Sequence, residues 1–285
     1  MKQIPAAQVP DASAGELRSK RVLLNFTPTE MEEVTGFVRD LRSKGKLPTA
    51  TLLREMILKA RKEGFTSLVL GIFAALDLNS RTACRSLEIS YKEDATRQHF
   101  RRYKNYHLST FQPNPAKWDK ALEQKIFKSI LEGAELVLAH NLASFYVGTA
   151  STRTGERGGT VQRILFSEEA HYQNTGIIKA SEIVNGTAAM VAVGHGTIVR
   201  ETTANGFNHF RRSWGMAMRK EINYRPRFWG WREFYTPAEF EEIKLGFTDK
   251  NLVAQEYPEC ISGDSSISTD RGIVPIREAA FSSTV

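Results

Sequence analysis

The sequence predicts an α/β protein built on a mainly parallel sheet flanked by helices. Three observations predict it. Apolar bursts of strand length recur along the chain, and amphipathic stretches of helical length separate them. The polar segments RKEGFTS, SEE and ETTANG follow three of the bursts, where the carboxyl ends of parallel strands gather and where such sheets place their chemistry.

The elements follow in order. The first twenty or so residues are polar and rich in Pro and Ala, which predicts a flexible N-terminus over 1–20. TPTEMEEVTGFVRDLRSKG (27–45) combines a threonine cap with helical apolar spacing and predicts a helix ending near Gly45. EMILKA (55–60) reads as a strand, RKEGFTS as a glycine-bearing loop and LVLGIFAAL as the helix after it. RTACRSLEIS (81–90) is a second strand, followed by a charged helix to about Tyr106. ASFYVGTAS (143–151), RILFS (163–167) and HGTIVRETT (195–203) are further strands, and helices are expected over 116–132, 176–189, 207–220 and 237–246. No repeat or low-complexity tract interrupts this order.

A chain of 285 residues can bury a full core, and its 41% hydrophobic and 25% charged residues are ordinary for a soluble globular protein. No apolar run is long enough to cross a bilayer, and MKQIPAAQVPDASAGELRSK has no apolar core of a signal peptide. The two cysteines, Cys84 and Cys260, form no CxxC, and the six histidines have no HExxH spacing. A disulfide scaffold or thiolate zinc site is therefore not indicated, and a reduced, cytosolic setting is expected. The net charge of +7 is compatible with a polyanionic partner, with basic residues bunched over 97–104 and between Arg211 and Arg232. On charge alone, a solvated, mildly basic surface is the better reading.

Three stretches carry candidate chemistry. In LKARKEGFTS (58–67), Gly64, Thr66 and Ser67 stand at a strand-to-helix turn. A glycine there lets backbone N–H groups close on a phosphate, the helix start favours negative charge, and a first-turn hydroxyl can reach magnesium. The pattern GxxxxGK[ST] is not intact, because Phe65 stands where lysine is expected; the basic residues lie upstream at Lys59, Arg61 and Lys62. RILFSEEAHY (163–172) ends an apolar strand in Glu168 and Glu169, of which only one can face a site if the strand continues. RETTANGFNHFRRSW (200–214) places Thr202, Thr203 and Asn205 at a strand end. Singly, each stretch also fits an ordinary turn or helix cap.

Together, ILKARKEGFTS, YVGTASTRTGERGGTVQRILFSEEAHY, ETTANGFNHFRRSW and VAQEYPE resemble, in order and spacing, the ATPase domain of a tailed-phage terminase large subunit over roughly residues 20–259. The resemblance implies a P-loop NTPase fold and ATP and Mg2+ as cofactors. It implies that Lys59, Arg61, Lys62, Gly64, Thr66 and Ser67 bind ATP, that Thr66 and Ser67 hold Mg2+, and that Glu168 activates water. Thr202, Thr203 and Asn205 would sense the γ-phosphate, and Arg153 or Arg157 could serve as an arginine finger. The implied partners are double-stranded DNA, the portal protein and the small terminase subunit, in a ring oligomer within the cytoplasm of an infected bacterium, with no membrane. Ser167 stands where many members of the family have the magnesium-side aspartate.

CISGDSSISTDRGIVPIRE (260–278) resembles the amino-terminal block of an intein. Such a block begins with a nucleophile; here Cys260 would attack the carbonyl of Glu259. A free cysteine opening a β-hairpin with DRG as its turn reads the same residues without splicing. The later intein blocks and the acidic nuclease of a terminase have no counterpart in the sequence. The expectation is three segments: 1–20, an ATPase domain over 21–259, and an intein fragment over 260–285 that joins in trans to a second polypeptide carrying the remaining intein and the nuclease. The competing readings are a truncated terminase without splicing and a nucleotide-inactive module that binds DNA or the capsid.

Overall fold

The computed structural model describes residues 53–150, 159–173, 179–191, 196–259, 266–269 and 272–275. The readings of 1–20 and 27–45, Arg153, Arg157 and Cys260 lie outside the described residues.

Eight strands form one sheet in the order β3-β4-β5-β2-β6-β7-β1-β8. The strands are β1 (Leu53–Lys59), β2 (Arg85–Ser90), β3 (Phe127–Leu131), β4 (Glu135–Leu138), β5 (Ser144–Thr149), β6 (Arg163–Ser167), β7 (Thr197–Thr202) and β8 (Arg225–Trp229). All neighbours are parallel except β3–β4 and β4–β5, so the sheet is mixed only at one edge. Alternation along the central strands sorts side chains to two faces. Ile57, Leu165 and Val199 join the core beneath helices α1 (Phe65–Leu78) and α2 (Glu93–Phe111). Ile164, Phe166 and Ile198 pack with Ile183 and Val184 of α4 (Ala180–Ala188), and Met56 packs with Phe210 of α5 (His209–Met218).

The expected helix over 116–132 is corrected. A short turn at Pro115–Lys117 precedes α3 (Lys120–Ile126), and Phe127 onward is β3. Its apolar positions are spaced for a helix, but Phe127–Leu131 and Glu135–Leu138 close into an antiparallel pair through Gly133, whose φ of 74° suits a glycine. Strand β8 carries no strand signal because RPRFW opens with two arginines around Pro226; an edge strand tolerates both. The reading of 237–246 is met by α6 (Pro237–Leu245), opened by a Thr236–Glu239 capping box, and α7 (Lys250–Glu256) follows. Ser266–Thr269 (β9) and Gly272–Pro275 (β10) pair antiparallel with each other.

A buried polar cluster fastens α1 to α2 and the sheet. Asp77, at the end of α1, accepts hydrogen bonds from Arg163 of β6 and Tyr103 of α2, and from the Cys84 thiol at 3.2 Å. Burial pushes the Asp77 carboxyl up, against the pull of Arg163. Removing one partner of a buried pair strands the other charge, so Arg163→Ala is expected to cost about 3–5 kcal/mol in urea unfolding.

Candidate nucleotide site at the carboxyl edge of the sheet

Because β7 lies between β1 and β6, three parallel strands end side by side, with Ser167 level with Glu201 and Leu58 level with Thr202. The loop leaving β1 turns through Lys62 and Gly64, both left-handed with φ of 66° and 70°. Gly64 is the residue before α1, and no side chain caps that helix start. A helix start without a side-chain cap suits an anion.

Lys59, the last residue of β1, is buried, and its Nζ lies 3.0 Å from Glu168 Oε1 and 3.1 Å from Glu201 Oε2. Glu201 Oε1 accepts hydrogen bonds from Thr66 Oγ1 (2.8 Å) and Ser167 Oγ (2.7 Å). Glu168 Oε2 accepts from the Thr203 N–H at 2.9 Å and the Thr203 hydroxyl at 3.3 Å. Burial alone would raise the Glu168 carboxyl, but the Lys59 ammonium and the Thr203 N–H outweigh it and hold the pKa at about 2. Burial works against the Lys59 ammonium, and the two carboxylates overcome it, raising the lysine well above its ordinary value.

Glu168 and Glu169 part company through backbone geometry. Glu168 adopts φ 52° and ψ 47°, a left-handed conformation uncommon outside glycine, which ends the alternation of β6. Glu168 then faces Lys59, whereas Glu169 turns to Arg200, whose Nε and Nη2 donate at 2.7 and 2.5 Å. Burial disfavours charge on Glu169, and Arg200 more than offsets it, so the pair is structural and buried.

The remaining sequence-singled residues occupy distinct places. Arg61 pairs with Glu256 of α7 at 2.7 Å, and Lys62 is exposed on the loop. Of the three upstream cations, only Lys59 contacts the carboxylates. The Ser67 carbonyl accepts a hydrogen bond from Tyr106 Oη at 2.9 Å. Thr202 Oγ1 donates to Thr203 O at 2.7 Å and accepts from Ala170 N at 3.1 Å. Both ends of the Asn205 amide are engaged by protein: Nδ2 donates to Ala170 O at 2.9 Å, and Oδ1 accepts from Gln255 Nε2 at 3.4 Å. Phe65 is buried and packs on Trp229 with ring centroids 4.8 Å apart, so the position expected to hold lysine feeds the core. Glu259 pairs with Arg232 and accepts from Trp231 Nε1 at 3.3 Å.

Two groups were missed by sequence reasoning. Glu201 sits in a strand whose six residues are all buried, and a carboxylate there marks a paired or metal-facing role. Glu63, inside the phosphate-type loop, is 3% exposed, and among the described residues neither carboxyl oxygen has a close, well-aligned hydrogen-bond partner. Hydroxyl and carboxylate oxygens are the donor set of a hard cation such as Mg2+, and Thr66, Ser167 and Glu201 fit it, while the His171 imidazole stands on the far side of Glu168, bonded to the Thr203 hydroxyl at 3.0 Å.

No protein-family model matches the sequence, and no curated protein matches it. Among solved structures, the fold is similar to the large-terminase ATPase domain of Thermus phage P74-26, at 16% identity and TM-score 0.51 over 78% of this chain and 96% of that one. It is similar to the large terminase of bacteriophage HK97, at 15% identity and TM-score 0.57 over 90% of this chain and 60% of that one. A thermophilic-bacteriophage large terminase in complex with ATP-gamma-S aligns at 11% identity and TM-score 0.50, over 90% of this chain and 54% of that one. The chain thus spans little more than half the length of the last two. This chain's mostly parallel eight-stranded sheet flanked by helices is thus similar in fold to phage large-terminase ATPase domains.

Burial drives the Glu63 carboxyl well above its ordinary value of 4.5, and nearby Lys59 only partly opposes this. A carboxyl raised on folding contributes full stability below its unfolded pKa and loses it as pH climbs through the folded value. Glu63→Gln is therefore expected to match the parent in acid and to exceed it at pH 8 by on the order of 1 kcal/mol, read by thermal melts across pH.

Proposed function

We propose that residues 21–259 form the ATP-hydrolysing motor domain of a phage terminase large subunit. The observation that carries the reading is the junction of Lys59, Thr66, Glu168 and Glu201 where three parallel strands end beside a glycine turn and a helix start. Phosphoryl transfer asks the protein mainly for positioning and charge. Gly64 and the first turn of α1 would cradle the phosphates, and Lys59 would supply the positive charge that Phe65 cannot. Arg61 and Lys62, on the outer side of the loop, would add a weaker field. The Lys59 ammonium and the Thr203 N–H keep Glu168 ionised, so its carboxylate would orient the attacking water by accepting a hydrogen bond. Thr66 and Ser67 would hold Mg2+, which when bound draws charge from the phosphate oxygens. Thr203 holds Glu168 by its N–H, so the Thr202–Asn205 corner would register a change at the γ-phosphate. Arg153 or Arg157 is the candidate arginine finger. The mature motor would act on double-stranded DNA with the portal protein and small subunit, as a ring in the host cytoplasm.

A coupled ATPase assay tests the motor reading. Glu168→Gln is expected to lower the rate about 100–10,000-fold while nucleotide still binds, and Lys59→Met to weaken ATP binding itself. Calorimetry showing no affinity for ATP with Mg2+ would instead favour a nucleotide-inactive module that binds DNA or the capsid.

For residues 260–285 we infer the amino-terminal piece of a split intein. The antiparallel pairing of Ser266–Thr269 with Gly272–Pro275 supports a β-rich fragment behind the cysteine. Cys260 Sγ would add to the Glu259 carbonyl, the Glu259–Cys260 C–N bond would break, and the freed amine would take the thiol proton, leaving a thioester. Mixing the chain with the polypeptide carrying the complementary intein and the nuclease is expected to give a ligated product by mass spectrometry. With Cys260→Ala there is none; a truncated terminase gives none with either chain.

A further inference from the structure

The geometry points to Glu201 as the metal-side carboxylate of the nucleotide site, displaced by one strand from its usual place. The inference rests on the motor reading above. In phosphate-loop enzymes, the cation is held by the loop's Ser or Thr hydroxyl and an acidic residue at the end of a strand. The strand end that should carry this acid, β6, carries Ser167. Directly across the ladder, at the same level, stands Glu201 of β7.

Glu201 is fully buried and faces α1, as Val199 does two residues earlier. One carboxylate oxygen takes both the Thr66 and Ser167 hydroxyl hydrogen bonds, at 2.8 and 2.7 Å. The carboxylate thus touches the loop hydroxyl from which a displaced acid would act. It is also the only carboxylate besides Glu168 in contact with Lys59 among the described residues, so the centre has one acid for the water and one for the cation. Both departures in the motifs then have one form: lysine moves from position 65 to 59 and the acid from 167 to 201, each to a neighbouring place on the same edge.

The test uses the full chain, with Mn2+ as the probe and ADP as the nucleotide, followed by calorimetry and by the Mn2+ electron paramagnetic resonance signal. Glu201→Gln is expected to weaken the metal in the ADP complex about 10–100-fold. The relocation variant Ser167→Asp/Glu201→Gln, which keeps the charge of the centre, should regain most of that loss. Should Glu201→Gln fail to fold, the relocation variant decides alone by its metal affinity. Metal affinity unaltered in Glu201→Gln, or lost and not regained on relocation, would overturn the assignment by leaving Glu201 as a partner of Lys59 only. A parent chain that binds ADP neither with nor without metal overturns the motor reading as well, an outcome separate from the others.

Discussion

One buried ammonium organises the carboxyl edge of this sheet. Taking a lysine charge out of water costs several kcal/mol unless it is paired and hydrogen-bonded. Lys59 meets that demand with two carboxylates, one just past the end of β6 and one in β7, at 3.0 and 3.1 Å. The pairing fixes much else. It requires β7 to end beside β1, and β6 to release Glu168 from strand geometry in a left-handed turn. It brings Thr66 to Glu201 across the start of α1. With the charge supplied from position 59, the residue at 65 is free to be apolar, and Phe65 packs on Trp229 in the core. The missing lysine and the buried lysine are two aspects of one arrangement.

The legible part of the site was local. Gly64, Thr66 and Glu168 each stand at a strand-to-loop junction within a few residues of an apolar run, and periodicity alone locates such junctions. The illegible part depended on strand order. Glu201 gains its role from lying level with Ser167 and one strand from Lys59, a neighbourhood set by β7 entering between β1 and β6. Nothing within RETT reveals which strands flank it. The same limit explains Glu169, which looks as available as Glu168 until Arg200 is placed opposite. In the fold, the central strands β1, β2, β5, β6 and β7 were readable as apolar bursts. The edges were not, because edge strands are chosen for what they avoid: β8 is cationic and contains Pro226, and β3 carries helical spacing that its pairing with β4 overrides.

The two loops of the site share a mechanical support in α7. Arg61 of the phosphate-type loop donates its N–H to Glu256 O at 2.7 Å, and its guanidinium pairs with the Glu256 carboxylate. Gln255, the preceding residue, reaches Asn205 at the end of β7. Magnitudes show what secures this brace. The Arg61–Glu256 pair is half exposed on the arginine side and contributes at most about 1 kcal/mol, and the backbone bond contributes about as much. Tyr257, next along the chain, is buried with Ala60 and Trp231, and an aromatic side chain so placed contributes about 1.5–3 kcal/mol. Trp231 is itself stacked on Phe240 of α6 with centroids 3.8 Å apart. Aromatic burial therefore holds α7 in place, and the polar bonds set its register against the loops. Consecutive residues of one short helix touch both the loop before α1 and the corner after β7. A shift of either loop must carry α7 with it or break a hydrogen bond, so α7 registers a change at the centre, as does α5, whose cap Asn208 donates to Asn205 O at 2.8 Å.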